Sequence, residues 1–255
     1  MTRPSDRELQ NAAIDVAELA AELVREVVGH GAALRTKSSN TDVVTPTDLR
    51  SEQLIRRELE NRVPGSSFIG EEYPERAGDG DVAWVIDPID GTVNFLYDLP
   101  VVAVSIAARV DGVEVAAAVT DVLRGETFSA AMGEGARRDD EAIGATAAED
   151  LAQALIATGY SYDPAKRVEQ AEVVGRVLPA ARDIRSMGSA ALQLCWVANG
   201  RVDAYYERDL KPWDIAAGAL IAREGGATVE LPSSDNGDLT VAATPSIFGA
   251  LRSLL

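Results

Sequence analysis

The chain has 255 residues, 46% apolar and 25% charged, a globular composition that excludes a disordered tail, a coiled-coil rod and a collagen. Its formal net charge of −17 argues against a charge-driven grip on nucleic acid or an anionic membrane, so an anion such as phosphate would be recruited through cations. A single cysteine, Cys195, excludes an intrachain disulfide, and a single histidine, His30, excludes a multi-histidine zinc site.

The predicted elements begin with an amphipathic helix over 5–29. Ser5 caps it and Glu8 completes a capping box, with Leu9, Ala12, Ala13, Val16, Leu19, Ala20 and Leu23 at helical spacing. His30 stands at its end, as a C-terminal cap or an exposed residue rather than a base. The polar residues before the helix form no apolar leader, and no stretch approaches the roughly 20 apolar residues of a membrane span. The expectation is a soluble, reduced, cytoplasmic protein. After a polar stretch at 37–42, a second helix is expected over 48–61, capped by Thr47. Short strands follow at 67–69 and 82–86, each running directly into acids, with a polar loop at 75–81 between them. Residues 101–110 and 113–119 read as a hairpin around Asp111-Gly112, and 126–131 adds a strand.

The second half alternates. Strands are expected at 154–158, 183–186, 202–207 and 227–230, and helices at 167–178, 189–198, 212–224 and 247–255. The fold class is therefore α/β: an α+β N-terminal lobe with antiparallel pairing and an α/β C-terminal lobe. The pattern changes near 133–150, which divides one catalytic unit, 1–255, into approximate lobes 1–140 and 141–255.

Chemistry concentrates in Asp87-Pro88-Ile89-Asp90-Gly91-Thr92. Two hard carboxylates at a strand end suit Mg2+, with the Ile89 carbonyl between them as a further oxygen ligand. Gly91 and Thr92 offer backbone N–H groups where a helix starts, which suits phosphate. In isolation this segment reads as a capped turn, Glu71-Glu72 as a solvated loop, and Asp214 as a helix-dipole partner. Three acidic sites, each at the junction of an apolar element, fit a multi-metal centre better than three coincidences.

These motifs resemble, collinearly over nearly the whole chain, those of the inositol monophosphatase family of Mg2+-dependent, lithium-sensitive phosphatases. Lys37-Ser38-Ser39, the 42–48 segment ending in Thr47-Asp48, Gly70-Glu71-Glu72, the Asp87 to Thr92 segment, the 185–191 segment, Ala204-Tyr205-Tyr206-Glu207 and Trp213-Asp214 carry the likeness. The resemblance implies a layered αβαβα sandwich, a homodimer, and hydrolysis of inositol monophosphate or a similar polyol or sugar phosphate by activated water. It assigns Glu71, Asp87 and the Ile89 carbonyl to one Mg2+, and Asp87, Asp90 and Asp214 to a second. A third, weaker ion would lie near Glu71. Glu71, Asp48 and Thr92 become the catalytic residues, with Asp48 taking the Thr92 hydroxyl proton and Thr92 accepting from the water.

Gly91 and Thr92 would bind phosphate, and Asp90, Ser189, Ala190 and Glu207 would face the sugar. Ser189 reads equally as a helix N-cap. Lys37 either counters charge near the metals or is a solvated loop residue. Tyr205 and Tyr206 read as packing residues and Cys195 as core. Asp98 stands where many relatives have glycine, at a turn whose left-handed backbone Asp tolerates. Alternative substrates of the same chemistry are fructose 1,6-bisphosphate, histidinol phosphate and 3′-phosphoadenosine phosphates. A non-enzymatic alternative is a partner of the transcription machinery, by protein contact and without direct nucleic-acid binding.

Overall fold

Residues 3–28, 35–36, 43–234 and 237–255 are described by a computed structural model. In chain order the elements are α1 (Asp6–Arg25), the short β1 (Arg35–Thr36) and β2 (Val43–Val44), α2 (Pro46–Arg62), β3 (Ser67–Gly70), β4 (Val82–Asp90), α3 (Thr92–Leu96), β5 (Ala103–Val110), β6 (Val113–Asp121), β7 (Glu126–Ala131), β8 (Ala136–Arg138) and β9 (Glu141–Ala142). The second half adds β10 (Leu155–Thr158), α4 (Pro164–Val177), β11 (Asp183–Ser186), α5 (Ala190–Ala198), β12 (Ala204–Glu207), α6 (Pro212–Glu224), β13 (Thr228–Glu230), β14 (Thr240–Ala243) and α7 (Pro245–Arg252).

Local chemistry sets the boundaries. Ser5 and Glu8 form the expected reciprocal capping box at α1. At α2 the cap is Thr45, not Thr47. Pro46 occupies the first helical turn, where its missing N–H costs nothing, and it holds Thr45 extended at φ −110°, ψ 163°. Asp48 thereby becomes the third helical residue and closes a box with Thr45. The Asp111-Gly112 hairpin turn has positive φ at both residues, 50° and 81°, which matches the twist of β5 and β6. Asp98 takes φ 56°, in the left-handed region its position calls for.

Two sheets carry these strands. One has the order β3-β4-β5-β6-β7-β8-β9, antiparallel except for the parallel β3–β4 pair; the other has the order β11-β10-β12-β14-β13. Beneath the first sheet, Leu9, Ala13, Val16 and Ala20 of α1 and Ile55 and Leu59 of α2 bury against Trp84, Ile86 and Ile106. Between the sheets lies a layer of α5 and α6, where Leu194, Cys195, Ile221 and Ala217 touch Val85 and Val119 on one side and Ala157, Tyr205 and Ala242 on the other. Outside the second sheet, Val177 near the end of α4 and Ile247 and Leu251 of α7 pack on Ile156, Ala204, Tyr206 and Val241. The strand period of two thus sends Tyr205 inward and Ala204 and Tyr206 outward. The result is the layered αβαβα sandwich. Among the described residues no helix is long and apolar enough to cross a membrane.

Candidate active site

The parallel register of β3 and β4 pairs Gly70 with Ile86, so Glu71 emerges beside Asp87. β4 continues past Ile86 to Asp90, because a bulge between Asp87 and Asp90 accommodates Pro88, which has no N–H for the ladder. Inside this bulge the Ile89 N–H donates to Asp87 Oδ1 at 3.1 Å. Gly91 then turns the chain with φ 95°, and a Cβ there would lie 2.8 Å from the Val101 carbonyl. The α6 helix packs Ile215 and Ala216 into the inter-sheet core, which brings its first-turn residue Asp214 to the same strand ends. Asp214 Oδ2 accepts from the Lys211 N–H at 2.6 Å.

One cavity of about 810 Å³ is lined by Glu71, Asp87, Ile89, Asp90, Gly91, Thr92, Ser189, Ala190, Glu207 and Asp214. The structure therefore brings together every predicted site residue except two. Asp48 is fully buried beneath Thr92 and reaches the cavity through it. Lys37 lies outside the described residues, as does His30.

Thr92 Oγ1 lies 3.2 Å from Asp48 Oδ1 and 3.0 Å from the Ile89 carbonyl, positioned to donate to either. Asp48 Oδ2 accepts from the Thr45 N–H at 2.8 Å and from the Thr45 hydroxyl. The capping box that starts α2 therefore also fixes the carboxylate behind Thr92. Ser189 has two roles at once. It caps α5 by accepting from the Leu192 N–H at 3.3 Å, and it donates to Asp90 Oδ2 at 2.6 Å. The Ala191 N–H reaches the same oxygen at 2.7 Å.

Burial pushes Asp90 up to about 6, against the pull of the Ser189 hydroxyl and the Ala191 N–H; the Glu71 charge adds to the rise. Burial also pushes Asp214 well above the ordinary carboxylate range, with Asp90, Glu71 and Glu207 as repelling neighbours. Glu207 is pushed up to about 7, first by burial and then by the charges of Asp90 and Asp209, although the Tyr205 hydroxyl pulls the other way. Hard carboxylates held in each other's field form a donor set that a divalent cation would relieve. Among the described residues no three His, Cys, Asp or Glu side chains make a ready-made metal cluster.

Several supports of the site carry little signal in the sequence. Tyr205 is packed in the core as expected, yet its hydroxyl donates to Glu207 Oε2 at 2.7 Å. Glu52, fully buried on α2, accepts from the Glu72 N–H at 2.7 Å and pairs with Arg56 at 2.7 Å. Arg56 in turn donates to the Tyr73 and Pro74 carbonyls, so this pair shapes the turn that carries Glu71. Its only signal in the sequence is an i,i+4 Glu/Arg spacing. Asn94 donates to the Val101 and Met187 carbonyls at 2.8 and 2.7 Å, tying the turn after β4 to the segment before Ser189. Lys166, Arg167, Arg208 and Lys211 put cations around the cavity of an acidic chain.

A sequence model described as the inositol monophosphatase family matches residues 5–252. An inositol-1-monophosphatase of Mycobacterium leprae is 47% identical over 241 residues, 88% of this chain and 82% of that protein. The solved structure of Mycobacterium tuberculosis SuhB superposes with a TM-score of 0.86 at 43% identity, covering 99% of this chain and 97% of the other. A protein named Nus factor SuhB from Escherichia coli is 40% identical over 221 residues, 84% of this chain and 82% of its own.

Proposed function

The chain belongs to the inositol monophosphatase family, and from that premise we propose that it is a Mg2+-dependent phosphomonoesterase that hydrolyses an inositol monophosphate to inositol and phosphate. One observation carries the reading. Acids from three separate elements line the same cavity as Thr92 and a further carboxylate, Glu207.

In this reading Glu71, Asp87 and the Ile89 carbonyl hold one ion, and Asp87, Asp90 and Asp214 hold a second through the shared Asp87. A third ion, mostly hydrated, would sit near Glu71. When bound, Mg2+ neutralises the phosphate and the leaving oxygen and makes the attacking water more acidic. The chain's own groups do the positioning. Asp48, locked by Thr45, takes the Thr92 hydroxyl hydrogen and leaves the Thr92 oxygen to accept from water in the cavity. Gly91 and Thr92 present backbone amides to the phosphate. Asp90, Ser189, Ala190 and Glu207 face the polyol, with Ser189 and its neighbours also restraining Asp90. Phosphoryl transfer needs mainly such positioning and charge stabilisation, so no covalent nucleophile is required.

The reading carries with it lithium sensitivity, a homodimer, a cytoplasmic location and one catalytic unit over residues 1–255 with approximate lobes 1–140 and 141–255. Light scattering and lithium titration test the first two. The substrate test is phosphate release from myo-inositol 1-phosphate beside fructose 1,6-bisphosphate, histidinol phosphate and 3′-phosphoadenosine 5′-phosphate at one Mg2+ concentration. Preference for the inositol ester supports the proposal; preference for another keeps the chemistry and overturns the substrate. The likeness to a protein named Nus factor favours a second reading, a protein contact in a transcription complex. Purified protein that is silent on all four esters yet co-purifies with RNA polymerase would establish that reading instead.

A further inference from the structure

We propose that Tyr205 and Gly159 are positioning residues that aim the Glu207 carboxylate at the hydroxyl groups of a polyol substrate; this rests on the polyol reading above. The period of a strand puts Tyr205 and Glu207 on the same face of β12, two residues apart. Tyr205 is fully buried in the layer between the sheets, and its hydroxyl spends its hydrogen on Glu207 Oε2 at 2.7 Å. A phenol held this rigidly fixes the rotation of the carboxylate it touches. Gly159 works from the other side. It directly follows β10, whose Thr158 pairs in parallel with Tyr206, so Gly159 stands alongside Glu207. A Cβ at Gly159 would overlap the Glu207 carboxylate. Gly159 has no positive φ to explain its identity, so the space it leaves is its structural role.

Glu207 Oε2 is thus committed, while Oε1 takes no hydrogen bond among the described residues. Both Glu207 and Gly159 line the same cavity as the acids of β4. In its ionised form the Glu207 carboxylate is an acceptor only, so the ligand group matched to Oε1 in that form is a donor without negative charge. A hydroxyl on the leaving alcohol meets that description; a second phosphate does not.

The experiment compares kcat and KM of the full-length protein with Mg2+ on myo-inositol 1-phosphate and on phenyl phosphate, whose leaving group offers no alcoholic hydroxyl. Tyr205→Phe keeps the buried ring and removes only the hydroxyl. It should reduce the inositol-to-phenyl ratio of kcat/KM roughly 5–10-fold, about one charge-assisted hydrogen bond, with the change carried by KM for the inositol ester. Gly159→Ala should reduce that ratio further. In the Glu207→Gln background, adding Tyr205→Phe should change the ratio less than twofold, because the effect passes through Glu207. A wild-type preference for the inositol ester that survives both substitutions would overturn the positioning role alone, as would a parallel loss on both esters. A wild-type protein that hydrolyses phenyl phosphate and rejects the inositol ester would overturn the polyol reading itself.

Discussion

Replacing Arg56 by Met tests whether a buried ion pair holds the turn that carries Glu71. The Arg56 side chain is 13% exposed and that of Glu52 is fully buried, so neither charge is screened by bulk water. Met preserves much of the stem volume but removes the partner of Glu52, two hydrogen bonds to the Tyr73 and Pro74 carbonyls, and the stacking of the guanidinium on Phe68 and Tyr73. Breaking one side of a buried pair costs about 3–5 kcal/mol. For a chain of this size that corresponds to a fall on the order of 10 °C in melting temperature. Burial already raises the Glu52 carboxyl, against the pull of the Glu72 N–H and Arg56. Without Arg56 it should rise further. A carboxyl raised in the folded state contributes stability that is complete below its unfolded value and is lost as pH rises through the folded value. The Arg56→Met deficit should therefore be largest at pH 8 and shrink at pH 5. Urea unfolding at both pH values measures it, and Mg2+ titration by calorimetry reads the effect on the Glu71 turn. Adding Glu52→Gln should restore part of the stability at pH 8 by removing the stranded charge. A deficit under about 1 kcal/mol at pH 8, the size of an exposed pair, together with unaltered Mg2+ affinity, would show that the pair does not hold the Glu71 turn.

Thr92→Val removes the hydroxyl that bonds to Asp48 while keeping the shape; kcat should fall about 10²–10⁴-fold with the melting temperature held within a few degrees, as stopped-time phosphate assays and calorimetric scans would show. Glu207 is raised to about 7, so it ionises as pH rises through 7 and becomes a better acceptor. KM for the inositol ester should fall across that interval in the wild type and lose this step in Glu207→Gln. The same shift costs stability as pH rises through about 7, so Glu207→Gln should gain relative to wild type at pH 8 compared with pH 5, by up to roughly 3 kcal/mol at about 1.4 kcal/mol per pH unit. Asn94→Leu strips a donor from two carbonyls and should destabilise by about 2–4 kcal/mol in urea unfolding, with a loss of activity that follows from a loosened Ser189 segment.

Local chemistry was what the sequence made legible. The Ser5/Glu8 box, the Asp111-Gly112 turn and the strand-into-acid pattern at Ile69-Gly70-Glu71 and Ile86-Asp87 depend on residues a few positions apart, and each appears where expected. The α2 cap falls at Thr45 and not at the expected Thr47; both are capping residues, and the proline between them decides, because Pro46 fits the first helical turn. The strand at Thr240–Ala243 carries little strand signal in the sequence, because it is short, Ala-rich and follows a polar stretch. Its strand character comes from lying between two partners, β12 and β13, and not from propensity. β8 and β9 are too short to show a period, and β9 is exposed. The site's acids were readable from their junctions, but their supports were not. Glu52 reaching Glu72, Asn94 reaching Met187, and Gly159 yielding space to Glu207 are contacts between distant segments, fixed only when the sheets and helices dock. Tyr205 carried no signal beyond a buried aromatic, since its hydroxyl partner depends on the face that β12 turns to the core.

Turnover of myo-inositol 1-phosphate across a Mg2+ titration, in wild type and Asp87→Asn, decides whether Asp87 joins two cation sites in a phosphatase. Saturable Mg2+-dependent phosphate release by the wild type, abolished in a folded Asp87→Asn protein, is the predicted result. Full activity in Asp87→Asn, or wild-type turnover that persists in excess chelator, would contradict it.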